Sequence, residues 1–128
     1  HKLSYIGYGG TGKQVRDVLH VDDLYDLLTL QINDMKSHSG KIYNVGGGRE
    51  VSISLVELTA LCEKYTGNRI EVQQIQKNRP SDIRVYLTDH SKITQATGWN
   101  PKRKVEQIIQ EIFQWIQNNE HLLENILK

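Results

Sequence analysis

The sequence predicts a small mixed α/β (α+β) domain in which short strands alternate with helices. Three observations lead there. Apolar residues recur at helical steps, most regularly at Val105, Ile108, Ile109, Ile112, Phe113 and Ile116. Residues 14–20 and 70–75 alternate polar and apolar, as half-buried strands do. Ser54 with Glu57, and then Gly67, carry the start and stop signals of a further helix. Hydrophobic content of 38% and charged content of 24% belong to a folding chain and not to a disordered one. A length of 128 residues fits one domain, so residues 1–128 are read as a single unit or a piece of one.

Taken in order, residues 3–6 read as a short strand, followed by a glycine-rich turn and the extended segment 14–20. Asp22 reads as the N-cap of a helix to about residue 33. Leu24, Leu27, Leu28, Leu30 and Ile32 spread apolar surface around most of that helix, which therefore expects cover on several sides. A chain this short supplies little of it, so an exposed apolar face and self-association into a homo-oligomer are expected. Residues 41–45 read as a strand ending at glycines 46–48. The capping box at Ser54 opens a helix to about residue 65. Strands at 70–75 and 84–87 follow. Asp89 or Ser91 then starts a short helix that Gly98 ends, and Pro101 turns the chain into the last long helix, whose apolar face is read as core. Cys62, at helical spacing from Leu55 and Leu58, is read as core too, and as a lone cysteine it fits a reducing, cytoplasmic setting.

Several function classes are set aside. A net charge of +1 gives no basic surplus for nucleic acid. No apolar run reaches the roughly 18 residues of a membrane span, and no leader segment is expected. His1, His20, His38, His90 and His121 are scattered, so no metal site is expected. Gly7, Gly9 and Gly12 spell G-x-G-x-x-G, and Gly7 to Lys13 spells most of a P-loop. A dinucleotide fingerprint requires a helix directly after the glycines to receive the pyrophosphate, and the residues after Lys13 read as extended. The P-loop requires Ser or Thr where Gln14 stands. The glycines are read as a turn, and no cofactor is assigned to this chain.

Two arginines carry the candidate chemistry. Arg16 lies in an extended segment between Val15 and Asp17, and Arg79 in the loop Asn78-Arg-Pro-Ser-Asp82. A guanidinium offers a planar fork of donors that matches phosphate oxygens, and Asp82 is suited to accept from sugar hydroxyls. The other reading is ion pairing at the surface, Arg16 with Asp17 or Asp22 and Arg79 with Asp82. His20, Asp22 and Asp23 invite a general-base reading, but no nucleophile accompanies them. A histidine before a helix that an aspartate caps is preferred. No catalytic residue is assigned.

The stretch Gly12-Lys-Gln-Val-Arg-Asp-Val-Leu-His-Val-Asp-Asp-Leu24 resembles a segment of the extended short-chain dehydrogenase/reductases that act on nucleotide sugars. Tyr43-Asn-Val-Gly46, Asn78-Arg-Pro-Ser-Asp82, Asp89-His-Ser-Lys92, Gly98-Trp-Asn-Pro101 and the amphipathic last helix continue the likeness in the same order. The resemblance implies the C-terminal, substrate-binding portion of an extended Rossmann-type enzyme, the Rossmann core itself being absent. In that family the N-terminal portion binds NAD and carries a Tyr-x-x-x-Lys. No tyrosine of this chain has lysine four places on. The resemblance implies that Arg16 and Arg79 hold the diphosphate of a nucleotide-sugar substrate and that Asp82 lies near the nucleotide ribose. It places Asp17, His20 and Asp22 at a structural corner facing the missing N-terminal Rossmann portion, which is the expected partner. It implies a parent epimerase in which a sugar carbon is oxidised and reduced again on its other face, and an inactive isolated chain. The alternative is a stand-alone binding or interaction module.

Overall fold

A computed structural model of the chain describes residues 3–78, 80–124 and 126. Two small sheets organise it. In the first, β1 (Leu3–Ile6) runs parallel to β4 (Val72–Ile75), from Leu3 opposite Val72 to Ile6 opposite Ile75. In the second, β2 (Val15–Asp17) is central. It pairs antiparallel with β3 (Ser52–Ser54) and parallel with β5 (Val85–Tyr86), so Arg16 stands opposite Ile53 on one side and Tyr86 on the other.

Helix ends follow local chemistry. α1 spans Val21–Asn33, and its cap is His20 and not Asp22: His20 Nδ1 accepts the Asp22 N–H at 3.0 Å. Because the helix starts at Val21, Asp22 and Asp23 fall in its first turn, where negative charge favours the helix dipole. α2 (Met35–His38) follows with Asp34 as its cap. The capping box of α3 (Leu55–Thr66) forms as expected: Ser54 Oγ accepts the Glu57 N–H at 3.3 Å and Glu57 Oε2 accepts the Ser54 N–H at 2.9 Å. Gly67 ends α3 and Gly98 ends α4 (Ser91–Thr97), both left-handed at φ 70° and 73°. α5 (Val105–Asn118) and the short α6 (Glu120–Leu123) complete the chain.

Residues 41–45, expected as a strand, form none and join neither sheet. They do other work: the Tyr43 and Val45 side chains pack on the buried cluster of Leu27, Ile93 and Trp99, and the Ile42 backbone carbonyl accepts from Lys92 Nζ at 2.8 Å. A second cluster joins Val51, Val105 and Ile108, with Ile53, Leu61 and Ile109 against it. Cys62, expected in the core, is half-buried and belongs to neither buried cluster.

The apolar stripe of α5 is core only in its first turns. Val105 and Ile108 are buried, whereas Ile112 is 50% exposed and Ile116 and Trp115 are exposed beside it. α1 behaves likewise. Leu27 is buried, but Val21, Tyr25, Leu28 and Ile32, which follow one another at steps of four, three and four, all face outward. That spacing makes them one continuous apolar stripe.

One buried charge ties these helices to the rest. Asp23 is 1% exposed and its carboxylate takes the Lys102 and Arg103 backbone N–H groups at 3.2 and 3.1 Å, and Arg103 Nη1 at 2.7 Å. Its own carbonyl accepts the Trp99 indole N–H at 2.8 Å. The α1 start, the turn at Pro101 and the α5 start are thus one connected corner.

Candidate functional site

The central strand β2 is too short to do more than hold its three side chains and their neighbours in place. Gln14 and Arg16 leave it on the same face, because side chains alternate along a strand. Across from them lies Asp82, brought in by the loop between β4 and β5. Gln14, Arg16, Ile53, Leu58 and Asp82 line a cleft of about 240 Å³. Arg16 Nη2 stands 3.9 Å from Asp82 Oδ1, with the two side chains 43% and 19% exposed. The only short hydrogen bond of the Arg16 guanidinium, among the described residues, is from Nη1 to the Val15 carbonyl at 2.8 Å. Most of its donors therefore remain open to a ligand, and a pair this long and wet adds little stability.

The ion pairs expected for Arg16 do not form. Asp17 faces the other side of β2, as strand alternation demands, and its Oδ2 accepts the Gly48 N–H at 3.0 Å. Burial pushes the Asp17 carboxyl up, but hydrogen bonds from Thr88 and Gly48 outweigh it and leave the group below the usual aspartate range. Asp22 leans toward Arg103 at 3.5 Å. Asp82 pairs with Arg16. Arg79, the second expected diphosphate ligand, lies outside the described residues, and so does any pairing of it with Asp82.

His20 has both ring nitrogens engaged. Nδ1 caps α1, and Nε2 lies 2.8 Å from Glu111 Oε2 on α5. The Glu111 carboxyl is held low, first by the Gln107 amide and then by His20, against an opposing effect of burial. Asp23 is consumed by the Arg103 corner. His20, Asp22 and Asp23 therefore serve as caps and tethers between α1 and α5, not as a base.

The glycine turn is built for close packing. Gly7, at φ 85°, lies against Asp82 so closely that any side chain there would overlap the carboxylate. Gly10 presses on the backbone of Ile75, where a Cβ would sit 2.8 Å from the Ile75 nitrogen. Tyr8 holds φ 47°, a left-handed value rare outside glycine, with the Arg84 guanidinium 5.0 Å above its ring. The Gly9 N–H donates to Asn78 Oδ1 at 2.9 Å. The turn thus clamps the loop that bears Asp82. Beyond Lys13 the chain enters β2 and not a helix. A pyrophosphate has no helix N-terminus to rest on here, so these glycines do not fit NAD.

Sequence reasoning missed Gln14, Arg84 and Arg103. Gln14 stands in the stretch that carries the family resemblance and Arg84 opens a short strand, but neither was given a role there, and Arg103 stands in no motif.

The profile of the GDP-mannose 4,6-dehydratase family matches residues 2–112. The chain belongs to this family. CDP-paratose 2-epimerase of Salmonella typhi is 37% identical over 106 residues, covering 83% of this chain and 31% of that protein. UDP-glucose 4-epimerase 2 of Arabidopsis thaliana is 32% identical over 112 residues, covering 86% and 31%. Among solved structures, dTDP-glucose 4,6-dehydratase from Bacillus anthracis in complex with NAD matches with a TM-score of 0.69 at 28% identity, over 94% of this chain and 36% of that one. UDP-glucose 4-epimerase from Bifidobacterium longum in complex with NAD+ and UDP matches at 0.70 and 27%, over 92% and 34%. The family's members here are nucleotide-sugar epimerases and dehydratases, and the mixed α/β fold matches the C-terminal part of their structures. The chain spans about a third of the length of these relatives.

Proposed function

We propose that this chain is the nucleotide-sugar-binding portion of an NAD-dependent epimerase similar to CDP-paratose 2-epimerase. The observation that carries the reading is the convergence of Arg16 and Asp82 on one cleft, with most of the Arg16 donors uncommitted among the described residues. A diphosphate would lie along Arg16, with Arg79 as the second cation, and a ribose hydroxyl would donate to Asp82. The similarity to the Salmonella typhi epimerase favours CDP as the nucleotide. The chain's own residues bind and orient the substrate. The cleft's hydroxyl, Ser54, is engaged with Glu57 in the α3 capping box and its carboxylate, Asp82, is given to the ribose, so the oxidation and reduction of the sugar belong to an NAD-binding Rossmann portion. The exposed stripes of α1 and α5 are the surfaces such a portion would cover.

The test is calorimetric titration of the 128-residue chain with CDP, alongside Arg16→Ala, Arg79→Ala and His20→Ala. Losing a charge-assisted bond to phosphate costs on the order of 1.5–3 kcal/mol, so each arginine variant should bind about tenfold to a hundredfold more weakly. His20→Ala should bind as the parent does. Equal CDP affinity in the parent and both arginine variants would overturn the assignment. With NAD and a panel of CDP-sugars, the isolated chain should yield no epimer by NMR.

A further inference from the structure

We propose that Gln14 is a positioning residue for nucleotide recognition: its buried amide fixes the Asp82 carboxylate so that the cleft discriminates ribose hydroxyls. This rests on the proposed binding of a nucleotide in the cleft between Arg16 and Asp82.

Gln14 is only 5% exposed, and a buried amide needs a reason. Its Nε2 donates to the Ile6 carbonyl at 2.7 Å and to Asp82 Oδ2 at 3.2 Å. Both partners are pure acceptors, so the nitrogen must be the atom that faces them, and the orientation of the amide is determined. The other atom, Oε1, is buried with no hydrogen-bond partner among the described residues. An apolar side chain of similar size would avoid that cost, so the stability of the fold does not account for glutamine here. What glutamine adds is a tie between the end of β1 and the carboxylate of Asp82.

The tie has a chemical consequence. Gly7 leaves room for the carboxylate, and Gln14 holds its Oδ2. Oδ1 stands 3.9 Å from Arg16 Nη2, beyond hydrogen-bond reach, and among the described residues it accepts no hydrogen bond, which leaves its lone pairs to a ligand. A carboxylate already fixed in place loses little freedom when a hydroxyl donates to it. A ligand lacking that hydroxyl leaves the carboxylate unpaired as water is displaced, and this asymmetry is what makes hydroxyl recognition selective. Released from Gln14, Asp82 would turn toward Arg16 or solvent, and the selectivity would fall.

The experiment is titration of the chain with CDP, 2′-deoxy-CDP and 3′-deoxy-CDP, in the parent, Asp82→Asn, Gln14→Leu and Gln14→Asn, with circular dichroism on each. In the parent, one deoxy analogue should bind about tenfold or more weakly than CDP. Gln14→Leu should shrink that ratio to about threefold or less, by weakening CDP and leaving the deoxy analogue unchanged. Gln14→Asn keeps a buried amide one methylene shorter, which no longer spans Ile6 and Asp82, and should act like Gln14→Leu. A parent ratio near one, a ratio unmoved by Asp82→Asn, or no CDP binding at all would overturn the cleft reading and this inference with it. A ratio lost in Asp82→Asn but intact in both folded Gln14 variants would overturn the inference alone. Loss of the fold in both Gln14 variants would make Gln14 a core residue and overturn it as well.

Discussion

Replacing Asp23 should unfold this chain more readily than any neighbouring change at the α1 start. The carboxylate is 1% exposed and receives three hydrogen bonds, two from backbone N–H groups at 3.1 and 3.2 Å and one from a guanidinium at 2.7 Å. Asp23→Ala removes the acceptor and leaves all three donors behind in a place its shorter side chain cannot fill. Removing one partner from a buried charged pair costs on the order of 3–5 kcal/mol. A domain of this kind has about 5–15 kcal/mol in total, so the loss is a large share. With a urea dependence of roughly 1–3 kcal/mol per molar, the denaturation midpoint should fall by about 2 M. Asp22→Ala is the control. Its side chain is 57% exposed and only 3.5 Å from Arg103, so its cost should stay within about 1 kcal/mol. Urea unfolding followed by circular dichroism compares the two. If Asp23→Ala cost no more than Asp22→Ala, the corner joining α1 to α5 would not be what holds these helices together.

Acid should weaken the fold partly through Asp17. Its folded pKa lies below the ordinary value of 3.8, so its contribution is present above that value and is lost as pH falls through the lower folded one. Urea midpoints measured from neutral pH downward should show the gap between the parent and Asp17→Asn closing over that window, and a gap independent of pH would contradict this. His20→Ala should lower the unfolding midpoint, because it removes both the α1 cap and the contact with Glu111, while CDP affinity stays at the parent value in the same titration. The outward stripe of Val21, Tyr25, Leu28 and Ile32 should drive self-association, since burial of apolar surface is favourable by roughly 25 cal/mol per Å². Sedimentation velocity should show mass rising with concentration for the parent and holding at 14.7 kDa for the double variant Leu28→Glu, Ile32→Glu. A parent that stays monomeric at high concentration would refute it.

What the sequence disclosed depended on how local the physics was. The capping box at Ser54 and Glu57, and the glycines that end α3 and α4, involve residues within a turn of one another and were legible. The cap of α1 was not, because aspartate ranks far above histidine at such positions and Asp22 masked His20. β3 passed unseen because three residues, Ser-Ile-Ser, carry almost no alternation, and its pairing with β2 is decided by residues far away in the chain. Residues 41–45 carry the apolar content of a strand, yet it serves packing on Leu27 and Trp99. The α5 stripe is helical as its spacing predicts, but its whole face reads as core and only Val105 and Ile108 are buried. Periodicity reports that a face is apolar and is silent on what covers it.

The same distinction explains the glycine turn. A G-x-G-x-x-G pattern states where a backbone can approach something closely, and the element that follows decides what that something is. Before a helix, the amides and the helix dipole select an anion. Here the turn feeds the three-residue strand β2, and its close approaches are to protein: Gly10 to the backbone of Ile75, Gly7 to the carboxylate of Asp82. The site so formed has the opposite chemistry from a phosphate nest. At Gly7 it accommodates a negative charge that belongs to the chain, which Gln14 then holds by one oxygen. The anion-binding role passes to the side chain of Arg16, two residues beyond Gln14 on the same strand face. A motif that names a phosphate site when read as a string thus becomes, in this fold, the support for the acidic half of a cleft whose basic half lies just downstream.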